Sequence, residues 1–340
     1  RRERGVVEAS WQHIEENLER HHVTTVQGAA RFTGPQAIEV TRHGQEPRVI
    51  TGDTFLVATG SHPWRAPHVP FDGAVVIDSD DVLAIEAIPA RMIVIGGGVI
   101  GCEYACTFAA LGVQVTIINA GDRLLTQFDH DVSDALRQEF TRRFGIHTLL
   151  GADVSSIEVH DGLGHVTVAD GTMLVAECVL YCAGHEGNTA GLGLENAGVA
   201  TNARGFIQVD EKFRTSITHI YAAGDVIGFP AMASTSMEQA RVAVCHAFDF
   251  KYKQAVSGIM PYGVWTIPEV ATVGMSEHDA RAHDLPYEIG KAYFRDNVRG
   301  QIIGETAGFV KLVFSPEDQR LLGAAIEANP RADDDSGQCR

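Results

Sequence analysis

The most ordered apolar pattern in the chain lies between Met92 and Asn119. Met92–Ile95 is an unbroken apolar run rich in β-branched residues, which suits a strand covered on both faces. A glycine-rich turn follows. A helical stretch then continues through Phe108 and Leu111 to Gly112, and Val113–Ile118 reads as a second buried strand. Upstream, Val7, Trp11, Ile14 and Leu18 fall at i, i+4, i+7 and i+11 and predict a helix over 1–22. Val23–Phe32, Ala37–Thr41, Arg48–Ile50 and Thr54–Ala58 read as strands, with turns at Gly34-Pro35 and His43-Gly44, and suggest an antiparallel meander. A connector through Asp78–Asp81 and a short helix to Ile88 reaches Pro89, a domain boundary.

Downstream, Val132, Leu136, Phe140 and Phe144 share one face of a helix over Asp129–Phe144. Strands at Val154–Val159, Val166–Val168 and Val179–Tyr181, with turns at Asp161-Gly162 and Asp170-Gly171, predict a hairpin inserted before a last parallel strand. Ile220–Ala222 is a short buried strand, and Ser234–Phe250 a helix. From Ile259 the pattern changes to strands around Pro268, a helix at Ala280–His283, and strands at Tyr287–Phe294 and Gly308–Phe314. This is expected to be a separate α+β domain, with Ile326 its last orderly residue and a polar, disordered tail over 327–340.

Composition narrows the class. The chain has 340 residues, ordinary globular composition and a formal charge of −17. No Lys/Arg cluster stands out, so nucleic acid and anionic membrane are not expected as partners. No apolar run approaches the ~18 residues of a membrane span. Six cysteines make no disulfide framework in this length. Cys178 and Cys182 on one strand would stand ~13 Å apart, too far to bridge. Cys102 and Cys106 are expected as buried free thiols. The His residues are scattered, with His21–His22, His278 and His283 expected in solvent, and no zinc spacing is present. A reduced, cytoplasmic setting fits.

The turn after Ile95 carries chemistry. Gly96, Gly98 and Gly101 form G-x-G-x-x-G between a strand and a helix that returns to a strand. The first glycine permits the turn, the second lets a pyrophosphate approach the backbone, and the third lets helix and strand pack closely. Asn119 stands where a carboxylate would hold an NAD ribose and repel the 2′-phosphate of NADP. Unit charges ~4 Å apart at an effective dielectric of about 20 repel by ~4 kcal/mol. A neutral Asn removes that penalty, and Arg123 is placed to reach a 2′-phosphate, so the site should accept both NAD and NADP. Ala58-Thr59-Gly60 and Tyr221–Asp225 each end a buried strand; Gly60 brings backbone close to whatever lies beyond, and Asp225 can accept hydrogen bonds from a polyol. The helix after Met232 and Ala233 points its N-terminus the same way.

The order and spacing of ATGS at 58–61, the glycine turn at 96–101 and YAAGD at 221–225 resemble the flavoprotein disulfide reductase family. The resemblance implies an α/β fold: a Rossmann-like NAD(P) domain (90–211) inserted in a partial FAD domain (1–89 and 212–257), then a truncated α+β dimerisation domain (258–326). It implies FAD, NAD and NADP as cofactors and a homodimer or higher homo-oligomer. The nucleotide contacts would be Gly96, Gly98, Val99, Ile100, Gly101, Asn119 and Arg123, with Glu103 near the nicotinamide. Thr59, Gly60, Gly184, Gly224, Asp225, Met232 and Ala233 would belong to the cofactor sites. No side chain is expected as a catalytic acid, base or nucleophile; the flavin would be the redox centre.

Within the family, GVIGCEYA, INAGDRLL, GNT at 187–189, AAGDVIGFPAMAS, WTIPEVATVG and YEIGKAYFRDNVRGQIIG are most similar to members that pass hydride from NADPH to NAD⁺ through flavin, balancing the two pools. The family's own FAD ADP-binding turn and redox-cysteine segment, and its C-terminal His-Glu pair, are absent, so the chain is expected to be a fragment that is inactive alone. His185 replaces a frequent Arg, and Val99 a bulky gating Tyr. Two alternatives stay open: a dihydrolipoamide dehydrogenase-like reductase, and a non-catalytic nucleotide-binding fragment.

Overall fold

The computed structural model describes residues 2–328. In chain order the elements are α1 (Arg2–Arg20), β1 (Ala29–Gly34), β2 (Ala37–Thr41), β3 (Arg48–Thr51), β4 (Phe55–Val57), β5 (Ser61–Pro63) and β6 (Val76–Ile77). Next come β7 (Arg91–Ile95), α2 (Val99–Ala110), β8 (Gln114–Asn119), α3 (His130–Phe144) and β9 (His147–Leu150). Then follow β10 (Val154–His160), β11 (Leu163–Val168), β12 (Met173–Ala176), β13 (Cys178–Tyr181), β14 (His185–Gly187), α4 (Leu194–Ala197), β15 (Ile220–Ala222) and α5 (Ala233–Ala247). The last are β16 (Tyr262–Val264), β17 (Glu269–Gly274), α6 (Glu277–Ala282), β18 (Glu288–Tyr293), α7 (Val298–Ile303), β19 (Phe309–Phe314) and β20 (Leu321–Ala328). The residues group into two compact units: the chain up to Ser61 with Gly187–Val256, and His62–Glu186 with Ser257 onward.

In the first unit β1, β2 and β3 form the expected antiparallel meander. Two expectations are corrected. Residues 23–28 are not strand, and β1 starts at Ala29. The stretch around Phe55 leaves the meander, because β4 pairs parallel with β15, Val57 opposite Ala222. Phe32, Val57, Leu194, Ile207, Ile220 and Val226 make the core of this unit. The helix read from Val7, Trp11 and Ile14 is present as α1, but those side chains are 45%, 63% and 50% exposed. Periodicity locates the helix here without telling what covers its apolar face.

The second unit is built on a five-stranded parallel sheet of order β6-β13-β7-β8-β9. Every residue of Met92–Ile95 and of β13 is buried, as an apolar strand covered on both faces requires. Alternation sorts the two faces. Met92, Val94, Val115 and Ile117 pack on Cys102, Ala105, Leu136 and Phe140 of α2 and α3. Ile93, Ile95, Ile118 and Val179 pack on Ile157, Val166 and Val168 of β10 and β11. The expected hairpin is in fact three antiparallel strands, β10-β11-β12. β6, β9 and β12 escaped the sequence reading because they are short and alternate weakly.

The C-terminal strands form an antiparallel sheet of order β16-β17-β20-β19-β18. β20 continues to Ala328, past Ile326, while the rest of the expected tail lies outside the described residues. Glu327 on β20 is fully buried, and neither carboxylate oxygen has a hydrogen-bond partner. Burial, with Glu139 and Glu305 nearby, pushes its pKa from 4.5 up to about 8, against the pull of Lys291. The native state therefore retains a proton that the unfolded chain releases at lower pH. Between pH 4.5 and about 8 this group makes stability fall as pH rises, by up to about 1.4 kcal/mol per unit. Chemical denaturation across that range should show the fall in the wild type and a flatter profile in Glu327→Gln.

Candidate functional site

Three strand ends meet at a cavity of about 310 Å³ in the second unit. Ile95–Gly98 at the end of β7, Ile118–Ala120 at the end of β8 and Tyr181–Ala183 at the end of β13 line it, with Ala152 just before β10, Val154 and Ile157 on β10, and His68. Such a cleft at the carboxyl ends of parallel strands is where ligands bind in open α/β sheets.

The glycine turn is shaped by steric contact. A Cβ on Gly101 would lie 2.0 Å from the Gly96 carbonyl oxygen, and one on Gly96 would lie 2.6 Å from the Cys182 oxygen at a φ of +115°. Neither position admits a side chain. Gly98, the helix N-cap, is different: its Cβ would meet nothing within 4 Å, so that side of the turn is open space. No side chain caps α2, which leaves its N-terminus to attract an anion. Val99 and Ile100 begin that helix and are half-buried.

Asn119 lines the cavity, but its amide is engaged in the loop. Its Oδ1 accepts the Gly97 N–H at 2.9 Å, and its Nδ2 donates to the carbonyls of Gly121 and Arg123 at 3.2 and 2.9 Å. Arg123 folds back on the same loop, donating from Nη2 to the Thr126 carbonyl at 2.9 Å, with Asp122 3.8 Å from Nη1. It does not line the cavity. Glu103, on α2, also lies outside the lining. Its Oε1 accepts the Trp265 N–H at 2.7 Å, and burial raises its pKa against that hydrogen bond. Gly184, at a φ of 117°, accepts the Trp64 N–H at 3.0 Å.

The remaining candidates gather in the first unit. Parallel pairing of β4 with β15, extended by the Ala223 N–H to the Val57 carbonyl, brings the Thr59-Gly60 and Gly224-Asp225 ends side by side. Thr59 Oγ1 donates to the Asn188 carbonyl at 2.8 Å, and Asn188 Nδ2 donates to the Thr59 carbonyl at 3.0 Å. Gly224 has a φ of 80° and donates its N–H to Gln239 Oε1 at 2.7 Å. Asp225 is half-buried at the head of a 3₁₀ turn. Met232 is the N-cap of α5 and Ala233 its first residue, with no side-chain cap.

The span that carries these strand ends and the glycine turn is similar to known proteins. Residues 3–247 match the pyridine nucleotide-disulphide oxidoreductase family, and residues 260–335 match its dimerisation domain. The chain belongs to this family. It is 41% identical over 314 residues to a soluble pyridine nucleotide transhydrogenase of Mycobacterium bovis, covering 92% of this chain and 67% of the relative. A soluble pyridine nucleotide transhydrogenase of Pseudomonas aeruginosa is 38% identical over 89% of this chain and 65% of its own length. The chain thus spans about two thirds of these curated relatives. Among solved structures, LpdA from Mycobacterium tuberculosis superposes with a TM-score of 0.88 at 28% identity, covering 97% of this chain and 72% of LpdA. The HOCl-induced flavoprotein disulfide reductase RclA from Escherichia coli gives 0.81 at 28% identity, over 91% of this chain and 70% of RclA.

Several site residues carried no sequence signal. His68 follows prolines in an aperiodic segment. Trp265 reaches Glu103 through its backbone, which no side-chain pattern encodes. Gln239 alone had a detectable mark, as a polar residue on the buried face of α5.

The two open and closed glycines separate fold from site. Gly101→Ala should lower Tm by at least about 3 °C, the cost of overpacking against a backbone oxygen. Gly98→Ala should melt like the wild type. Thermal unfolding of both variants followed by circular dichroism checks this.

Proposed function

We propose that this protein is an FAD-dependent oxidoreductase that passes hydride from NADPH to NAD⁺, as the names of its transhydrogenase relatives suggest. The observation that carries the reading is the uncharged Asn119 at the tip of β8, lining the cavity where a carboxylate would disfavour a 2′-phosphate. The open space at Gly98 and the uncapped start of α2 fit a nucleotide pyrophosphate. Asn119 acts by holding the Gly97 peptide in place, so that recognition of the adenosine end comes from shape and backbone rather than from a charged side chain.

The first unit fits part of a flavin. Gly60, at a φ of 76°, has its nearest neighbour to an added Cβ 3.8 Å away, so backbone there can be approached closely. Asp225 offers a carboxylate to polyol hydroxyls, and the start of α5 favours phosphate oxygens. When bound, FAD would supply the two-electron relay between the nicotinamides. Glu103, held by Trp265, would orient the nicotinamide of either coenzyme.

None of the described cysteines is poised for thiol chemistry. Among the described residues all are free, and burial pushes the Cys178 and Cys182 thiols up to about 12 and raises those of Cys102 and Cys106. Thiols held protonated are poor nucleophiles. In this reading the working protein is a cytoplasmic homodimer, assembled through the region matching the dimerisation domain. Among the described residues no helix is long and apolar enough to cross a membrane.

The test is transfer from NADPH to thio-NAD⁺ by the flavin-loaded protein. Asn119→Glu should weaken NADP(H) at least tenfold more than NAD(H): loss of the Nδ2 donor from the loop bears on both nucleotides, and the added charge bears in addition on the 2′-phosphate. Equal losses for both nucleotides in binding titrations would refute the role given to this position.

A further inference from the structure

The most deeply buried cation in the described chain belongs to no element of the proposed reaction. Lys311 sits on the inward face of β19, with its side chain 2% exposed. Its ammonium donates to Asp129 Oδ1 and Oδ2 at 2.9 and 3.0 Å, to Asp131 Oδ2 at 2.7 Å and to Glu277 Oε2 at 2.7 Å. These carboxylates come from two helix starts. Asp129 is the N-cap of α3, accepting the Asp131 N–H at 3.0 Å, and it also accepts the Glu277 N–H of α6 at 3.2 Å. The outer carboxylate oxygens are held by further cations, Asp131 by Lys291 at 3.2 Å and Glu277 by Arg281 at 2.9 Å.

Asp129 is also the last residue of the loop that begins after Asn119, and this loop holds the glycine turn from its other end. Gly97 donates its N–H to Asn119 Oδ1 and accepts the Leu125 N–H on its carbonyl at 2.8 Å. Both backbone polar groups of one turn residue, and so the two peptides flanking Gly97, are therefore fixed by the loop. Leu125 makes its bond from a φ of +48°, a conformation that a branched residue holds only when its surroundings impose it. Leu124 and Leu125 are fully buried, and Leu124 Cδ2 lies 2.8 Å from where a Gly97 Cβ would be. Ser133 on α3 adds a contact to the Leu125 carbonyl at 3.5 Å. The path from Lys311 to Gly97 is thus continuous in hydrogen bonds and one short loop.

We propose that Lys311 is a positioning residue for the nucleotide site: by clamping the start of α3 it holds Leu125 in its strained conformation and fixes the Gly97 peptide against the incoming pyrophosphate. The C-terminal sheet thereby contributes to coenzyme affinity without touching the coenzyme. This rests on the reading of the glycine turn as the nucleotide site.

The experiment uses the flavin-loaded full protein and titrates NAD⁺ and NADP⁺ into wild type, Lys311→Met, Asn119→Ala and the double variant, with amide hydrogen exchange measured alongside. Lys311→Met should raise both dissociation constants about tenfold while retaining flavin, and should speed exchange of the Leu125 amide at least tenfold. Lys311 and Asn119 act on the two adjoining peptides of the same residue, Gly97. The double variant should therefore bind no more than about twice as weakly as the worse single variant. Fold-changes that multiply, or a dissociation constant within twofold of wild type in Lys311→Met, would overturn the proposal. Where Lys311→Met does not fold, Asp131→Asn, at the exposed arm of the clamp, decides: a two- to threefold weaker binding supports it and wild-type binding overturns it. Failure of the wild type to bind either nucleotide would refute the site reading instead. The Leu125 exchange rate would then still decide whether the clamp holds the loop.

Discussion

The contact between Gly101 and the carbonyl of Gly96 governs the rest of the second unit. A helix can leave the end of β7 and lie back on its own sheet only if its first turn crosses the preceding loop at a distance that excludes a Cβ. From that crossing follow the burial of Cys102, Ala105 and Cys106 against Met92 and Val94 and the parallel placement of β8. The cleft beyond the strand ends follows as well. Glycine is required there by space, and the sheet order is a consequence.

The same geometry explains why the site is uncharged. Asn119 lines the cleft and Arg123 lies in the loop beyond it, and both side chains are directed into the loop that follows β8. That loop must satisfy its own carbonyls in a half-buried position, and an amide and a guanidinium on the spot are the available donors. A carboxylate at 119 could still accept from Gly97 but would face the Gly121 and Arg123 carbonyls with no donor. The neutral side chain is thus demanded by the loop as much as by any ligand.

Much of this is legible in the sequence. The βαβ unit, the helix over 129–144 and the strand at Ile220 come from strong local signals: unbroken apolar runs, period-3.6 stripes and glycines at fixed offsets. What stayed hidden depended on partners distant in sequence. The stretch around Phe55 has the alternation of a meander strand, and only pairing with residues more than 150 positions away makes it parallel. Lys311 reads as one charged residue within an apolar strand, and nothing nearby announces three carboxylates arriving from two helices. At Arg123 the sequence places a cation in the loop but does not tell its direction, which follows the Thr126 carbonyl.

One neighbour of Asn119 has no such duties. Ala120 lines the cleft, is exposed, and carries no side-chain group on which the loop relies. Redesign of this protein toward a single coenzyme therefore has a natural address at residue 120. There a basic or acidic side chain could be introduced without disturbing the knot of hydrogen bonds one position earlier, so selectivity and loop integrity can be tuned separately.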